Sequence, residues 1–336
     1  MADRYDFASD NVAGAMPEVL ESLVAANAGL AAGYGADHVT ARAADLIRQL
    51  LDADAEVRFV ASGTAANALS LAALAQPHEA VLCHEHAHIA TDETGAPAFF
   101  GGGLGVVGLP GADGRIDPEA LAAALRRPDS AHSQAPAVLS LTNATEYGAL
   151  YPEATLAALI GAAKAAGLKA HLDGARIANA IAAGLPAASL ARLGLDIAIL
   201  GGTKAGATPT EAIVLFDKAL ARRFDARLKH AGQLVSKGRH LAAPWIGLLE
   251  TGAWTARAAH ANAMAQKLAA LSPVPLAHPV EANAVFLELG GDARRRLRAA
   301  GWRFETWLSG ESRFMCSWAT TEAAVEELAA ALKEAA

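Results

Sequence analysis

The chain has 336 residues, 53% hydrophobic and 19% charged, with a net charge of −7; this excludes a disordered chain and argues against nucleic acid or an anionic membrane as its main partner. Its two cysteines, Cys83 and Cys316, build neither a disulfide framework nor a zinc site and fit a reducing compartment, so no metal is expected. The opening residues carry early charges and no apolar core, and no run of 18 apolar residues follows, so the expected setting is cytoplasmic.

From about residue 55 to 215, short apolar runs alternate with Ala/Leu-rich stretches. Residues 56–63 (EVRFVASG) predict a strand and 64–75 (TAANALSLAALA) a helix. Strands follow at 80–85 (AVLCHE) and 135–143 (APAVLSLTN), then a helix at 154–167 whose closing glycine is a common stop. A strand at 168–173 (LKAHLD), a helix at 175–184 (ARIANAIAAG), and strands at 196–202 (DIAILGG) and 211–216 (EAIVLF) complete the series. Such alternation indicates βαβ units and a mostly parallel sheet covered by helices on both faces. The glycine-rich GGGLG at 101–105 is not followed by a helix and fails as a dinucleotide loop. Residues 218–232 and 255–271 predict helices. A smaller α+β unit of about 90 residues closes the chain, with strands at 284–291, 302–308 and 312–319 and helices at 292–301 and 321–336.

Three features combine into chemistry. ASGTAAN (61–67) takes a strand into a helix N-terminus, where bare N–H groups and the Thr64 hydroxyl suit an anion; taken alone it reads as a helix cap. KAHLDGARIANAI (169–181) puts Asp173 at a strand end with Arg176 three residues later, again either a ligand position or a cap. ILGGTKAGATPT (199–210) runs a third strand into Lys204. Successive parallel strands end on one edge, so an anion cradle, a carboxylate and a lysine meet in one cleft. A lysine among small residues there is available as a Schiff-base nucleophile. Pyridoxal 5'-phosphate requires this set: a phosphate cradle, a lysine, and a carboxylate against its pyridine nitrogen. Arg176 then suits an amino acid's α-carboxylate.

These motifs resemble the threonine aldolase/β-eliminating lyase group of fold-type I pyridoxal-phosphate enzymes over nearly the whole length. FASDNVAGAMPEVLESL, GYGADHVTARAADLI, ASGTAAN, HLDGARIANA and GGTKAGA each match a segment of that family. The resemblance implies an aspartate aminotransferase-like fold with a seven-stranded sheet. Residues 1–30 would form an N-terminal segment at the active site and subunit interface. Residues 31–240 would form the large cofactor domain, and 241–336 the small α+β domain.

It also implies roles for individual residues. Lys204 would carry the cofactor and Asp173 would face its pyridine nitrogen. Ser62, Gly63 and Thr64, with Thr203, would hold the phosphate, and His88 would stack on the ring. Ser9, Arg176 and Arg313 would contact the substrate carboxylate. Tyr34 would reach a neighbouring subunit's site, implying a homodimer or homotetramer with shared active sites, and Lys229 falls where a basic residue lies near the phosphate. The family's bacterial low-specificity members usually carry a histidine near the substrate hydroxyl, within an Asn-Thr-His-Asn stretch. Here LTNATEYGALY (141–151) places Thr145 or Glu146 there, so His88, Glu93, Glu146 or a water become candidates for the hydroxyl base. The implied reaction is retro-aldol cleavage of a β-hydroxy-α-amino acid. β-Elimination, racemisation, transamination and a non-catalytic binding role stay open, because fold does not fix function.

Overall fold

The structure, a computed structural model, describes residues 3–127, 130–307 and 309–335. Leu308 and Ala336, the ends of the strand and helix expected at 302–308 and 321–336, lie outside these, as do Met1 and Ala2 of the opening segment. In chain order the first half runs α1 (Pro17–Ala26), α2 (His38–Leu51), β1 (Glu56–Val60), α3 (Gly63–Leu74), β2 (Glu79–His84), α4 (His88–Thr91), α5 (Ala96–Phe100), β3 (Gly105–Leu109), α6 (Pro118–Leu125), β4 (Ala135–Thr142) and α7 (Glu153–Ala165). There follow β5 (Lys169–Asp173), α8 (Ile177–Ala182), β6 (Ile197–Gly201), β7 (Glu211–Leu215), α9 (Ala221–His230), α10 (Arg239–Glu250) and α11 (Ala253–Leu271). The chain closes with β8 (Ala284–Leu287), α12 (Gly291–Ala299), β9 (Glu305–Thr306), β10 (Ser312–Met315) and α13 (Glu322–Ala335).

Seven strands form one sheet in the order β1-β7-β6-β5-β4-β2-β3, with β7 antiparallel to both neighbours and the pairs from β6 to β3 parallel. Strand alternation divides its two faces. On β6, Ala198 and Leu200 join the core under α2, α7, α8 and α10, whereas Ile197 and Ile199 join the core under α3 and α9. On β5, Ala170 and Leu172 take the first face, so His171 and Asp173 are turned to the α3 side.

β3 is a strand that composition hides. GVVGL has two glycines and one buried side chain, so it carries little periodicity, yet it pairs in register with β2. The strand expected at 302–308 shrinks to two residues, Glu305 and Thr306, beside β10. A second, antiparallel sheet (β8-β10-β9) packs on the end of α11, α12 and α13, and Phe7 from the N-terminal segment is buried in that core. α10 and the start of α11 belong instead to the large core, through Trp245, Leu248 and Trp254. Among the described residues no helix is long and apolar enough to cross a membrane.

Candidate active site

β1, β2, β4, β5 and β6 all end on one edge of the sheet, and the turns leaving those ends carry the chemistry. Two turns are pressed together by glycine. A Cβ on Gly174 would lie 2.1 Å from the Ile199 carbonyl, and one on Gly201 would lie 2.1 Å from the Ala175 carbonyl. Gly201 N–H donates to the Gly174 carbonyl at 2.9 Å. The Asp-Gly-Ala and Gly-Gly-Thr-Lys motifs are therefore one packed unit, which fixes the Asp173 strand end beside the Lys204 loop.

Asp173 is buried. Its Oδ1 accepts the Ala175 N–H at 3.0 Å and its Oδ2 accepts from Asn67 Nδ2 at 2.9 Å. The cap and the ligand position are thus the same carboxylate. Lys204, half-buried, makes no hydrogen bond or ion pair among the described residues. A cleft of about 420 Å³ is lined by Lys204, His88, Ser9, Arg176, Glu146, Arg313 and Trp307, among others. Ser62 caps α3 through its Oγ, accepting the Ala65 N–H at 3.3 Å. The next two N–H groups, of Gly63 and Thr64, have no partner among the described residues, and nothing lies within 4 Å of a Cβ built on Gly63. Bare backbone at a helix N-terminus suits an anion.

The two arginines differ in how they are held. Arg176 gives Nε and Nη2 to Asp10 at 2.6 and 3.0 Å, both groups being buried, and Asn283 Nδ2 adds a third bond to Asp10 at 3.2 Å. Burial raises the Asp10 carboxyl, but the Arg176 guanidinium beside it outweighs that and holds it below the ordinary carboxylate range. Arg313 lies with its guanidinium carbon 4.3 Å from the Trp307 ring centroid, and its buried Nε has no partner among the described residues. Arg176 is a fixed cation; Arg313 is a donor in want of an anion.

Between Thr145 and Glu146 the geometry is decisive. Thr145 is buried and spends its hydroxyl on the Asp113 carbonyl at 2.7 Å and the Ala149 N–H at 3.1 Å, while Glu146 lines the cleft. Glu93 is not open to the cleft; its Oε1 contacts His88 Nδ1 at 2.8 Å and Asn67 Nδ2 at 2.8 Å, so it stands behind His88. The Thr203 hydroxyl closes the β6–β7 hairpin onto Thr210, accepting its N–H at 3.0 Å. Tyr34 and Lys229 lie elsewhere. The exposed Tyr34, at φ +58°, has the Lys229 ammonium 4.8 Å from its ring centroid, beside a separate cleft of about 360 Å³. Asn67, Asp10 and Trp307 were not singled out from sequence. A polar residue inside the Ala/Leu face of α3 marks Asn67, and Asp10 adjoins Ser9, whereas nothing local marks Trp307.

Glu211, on β7 under the lysine loop, is buried and accepts the Gly202 N–H at 2.8 Å; burial pushes its carboxyl up to about 7. The fold favours its neutral form, so this contribution is complete below its ordinary value of 4.5 and is lost as pH rises through about 7. Stability, read from the melting temperature, is expected to fall between about pH 4.5 and about 7 by on the order of 3 kcal/mol. Glu211→Gln should flatten that slope in a pH series of thermal melts; an unchanged slope would place the titration elsewhere.

An unpaired lysine, a buried carboxylate and a bare helix N-terminus on this sheet edge, with a pair of arginines at the cleft, are the groups that an enzyme of the fold-type I pyridoxal-phosphate class uses. A sequence model of the family described as "Beta-eliminating lyase" matches residues 6–291, and the chain belongs to that family. It is 47% identical over 335 residues to the "Low specificity L-threonine aldolase" of Pseudomonas sp. (strain NCIMB 10558), covering 97% of this chain and 96% of that one. The protein of the same name from Pseudomonas aeruginosa is 47% identical over 331 residues, with 96% and 95% covered. Among solved structures, the threonine aldolase of Leishmania major superposes with a TM-score of 0.93 at 32% identity, covering 99% of this chain and 100% of that one.

The residues present fit the cofactor that this class uses. The α3 N-terminus is bare backbone that would suit a phosphate, the lysine is unpaired among the described residues, and Asp173 retains acceptor capacity beyond its two bonds. Among the described residues no cluster could hold a metal ion.

Proposed function

We propose that this chain is a pyridoxal-phosphate-dependent aldolase that cleaves β-hydroxy-α-amino acids of the threonine, allo-threonine and phenylserine type to glycine and an aldehyde. The observation that carries the reading is that unpaired Lys204 shares one cleft with His88, Arg176 and Arg313, while buried Asp173 and the bare α3 N-terminus lie at strand ends on the same sheet edge. When bound, the cofactor supplies an electron sink for the pair released from the substrate's Cα. Lys204 would hold it covalently, Asp173 would keep its ring nitrogen protonated, and the Gly63 and Thr64 N–H groups, with Ser62, would hold its phosphate.

The Arg313 guanidinium takes the substrate α-carboxylate, with Arg176 as the second, fixed cation and Ser9 beside it. Two cations on one carboxylate leave the amino acid a single orientation, and that decides which bond at Cα lies against the ring face. We assign the β-hydroxyl proton to His88 Nε2, since Nδ1 is taken by Glu93. A second reading gives it to Glu146, because this carboxylate lines the same cleft. His88→Asn is expected to lower kcat about 10²-fold or more in initial-rate assays, and a larger loss in Glu146→Gln would transfer the role.

Purified protein given L-threonine, L-allo-threonine, their D-forms and phenylserine should release glycine and aldehyde from the L-forms. 2-Oxobutyrate from the threonines, or phenylpyruvate from phenylserine, without glycine would establish elimination instead. The exposed apolar Val24, Leu30 and Tyr34 on the α1–α2 side support a homodimer or homotetramer in which Tyr34 serves a neighbour's site. The buried, free thiols of Cys83 and Cys316 suit a cytoplasmic setting.

A further inference from the structure

Four side chains form a chain behind the cleft: His88, Glu93, Asn67 and Asp173. Glu93 Oε1 contacts both His88 Nδ1 and Asn67 Nδ2 at 2.8 Å, and the same Asn67 nitrogen donates to Asp173 Oδ2 at 2.9 Å. One amide nitrogen thus separates two carboxyl groups, roughly 5 Å apart as the span of two hydrogen bonds from one atom. Neither reaches water: the Glu93 side chain is fully covered and Asp173 is 3% exposed. Two atoms in this chain are buried without partners, Glu93 Oε2 and Asn67 Oδ1. With both carboxyls ionised, two like charges would face each other across a low dielectric and two acceptors would stay unsatisfied. Each of these is costly.

We propose that Glu93 is held as an uncharged carboxylic acid and acts as a positioning residue for His88. Its Oε1 accepts the Nδ1–H of His88, which leaves the Nε2 lone pair of the ring free, and Asp173 alone keeps the negative charge. A proton on Oε2 converts one orphan acceptor into a donor, and Asn67 Oδ1 is the acceptor that the same pair of groups offers. Burial pushes the Glu93 carboxyl up, and the Asp173 charge adds to this, against the bonds from His88 and Asn67. The contact with Glu93 pulls His88 upward; the Glu93 direction is the one that stands, since His88 keeps 24% of its side chain exposed. The other charges facing the pair are Asp92, 3.6 Å from His88 Nε2, together with Glu146 and Lys204. This assignment rests on the aldolase reading for its kinetic consequence but not for the charge itself.

Glu93→Gln is the discriminating variant, because a glutamine reproduces the acid's pattern: an acceptor toward His88 and Asn67, and a donor where Oε2 stood. Its kcat for L-threonine is expected within about threefold of the parent, whereas Glu93→Leu should lose about 10²-fold in kcat at nearly unchanged KM. The infrared difference spectrum between cofactor-loaded parent and Glu93→Gln, taken at neutral pH without amino acid, should contain the carbonyl stretch of a protonated carboxyl. Carboxylate bands in its place, or a glutamine variant as impaired as the leucine one, would overturn the assignment. If no β-hydroxy amino acid is cleaved at all, the infrared band still decides the charge of Glu93, so the two failures are told apart. Thermal melts of both variants check that each is folded, and the glutamine variant and the band decide without the leucine one.

Discussion

Lys204→Ala should remove turnover by at least about 10³-fold and abolish the visible absorbance of the cofactor-loaded protein. The Lys204 amine has no hydrogen bond or ion pair among the described residues, so removing it breaks no structural contact of the protein itself. The loop around it is held by other groups: Gly201 against Ala175, and Gly206 through its carbonyl to the Met16 N–H at 2.9 Å. Cofactor-free Lys204→Ala is therefore expected to melt within about 0.5 kcal/mol of the parent, the usual range for substitutions that break no structural contact. Loss of activity with unchanged stability is the signature of a group kept for chemistry. A variant that retained the cofactor's absorbance would place the covalent attachment elsewhere and sink the central assignment.

Asp10→Ala should be the most damaging single change for both stability and substrate affinity. Among the described residues Asp10 is the sole carboxylate bonded to Arg176, whose side chain is only 8% exposed. Removing it leaves a buried charge unpaired, which costs about 3–5 kcal/mol. Because Arg176 keeps the carboxyl below its ordinary value of 3.8, the contribution is present above that value and is lost as pH falls through the depressed one. The destabilisation should thus be undiminished at pH 7, in denaturant titrations. The functional effect follows from the same two bonds. Without Asp10 the Arg176 side chain loses its fixed direction, and KM for the amino acid should rise about tenfold or more, with kcat less affected. Asp10→Asn keeps an acceptor but not the charge and should fall between. An unchanged KM in Asp10→Ala would mean that Arg313 holds the carboxylate by itself.

Between residues 56 and 215, β1, β2, β4 to β7, α3, α7 and α8 were legible because they rest on local patterning: apolar runs of strand length, Ala/Leu-rich helices, and glycine stops; α4, α5 and α6 were not read from it. β3 was not, since glycine erases periodicity and only the pairing with β2 makes Gly105–Leu109 a strand. α10 has an apolar pattern that fits either unit, and packing on α1 and α2 placed it with the large core. At the site, Lys204, Asp173 and the Ser62–Thr64 turn stood out because each follows a strand in a short, glycine-bearing motif. The partners of those groups did not, because they are distant in the chain: Asp10 lies 166 positions from Arg176, and Asn67 lies 106 from Asp173.

By itself, then, the order of residues determined most of the strands and helices and the class of chemistry, and it offered candidate reactive groups in short motifs that follow strands. Only the tertiary structure decided how the polar groups are shared. It turned Glu146 into the cleft and Thr145 away from it, put Glu93 behind His88, and committed Arg176 to Asp10 while leaving Arg313 unpaired. The reason is physical: a buried charge is defined by which partner reaches it first, and that is settled by packing across the sheet edge rather than by neighbours in sequence.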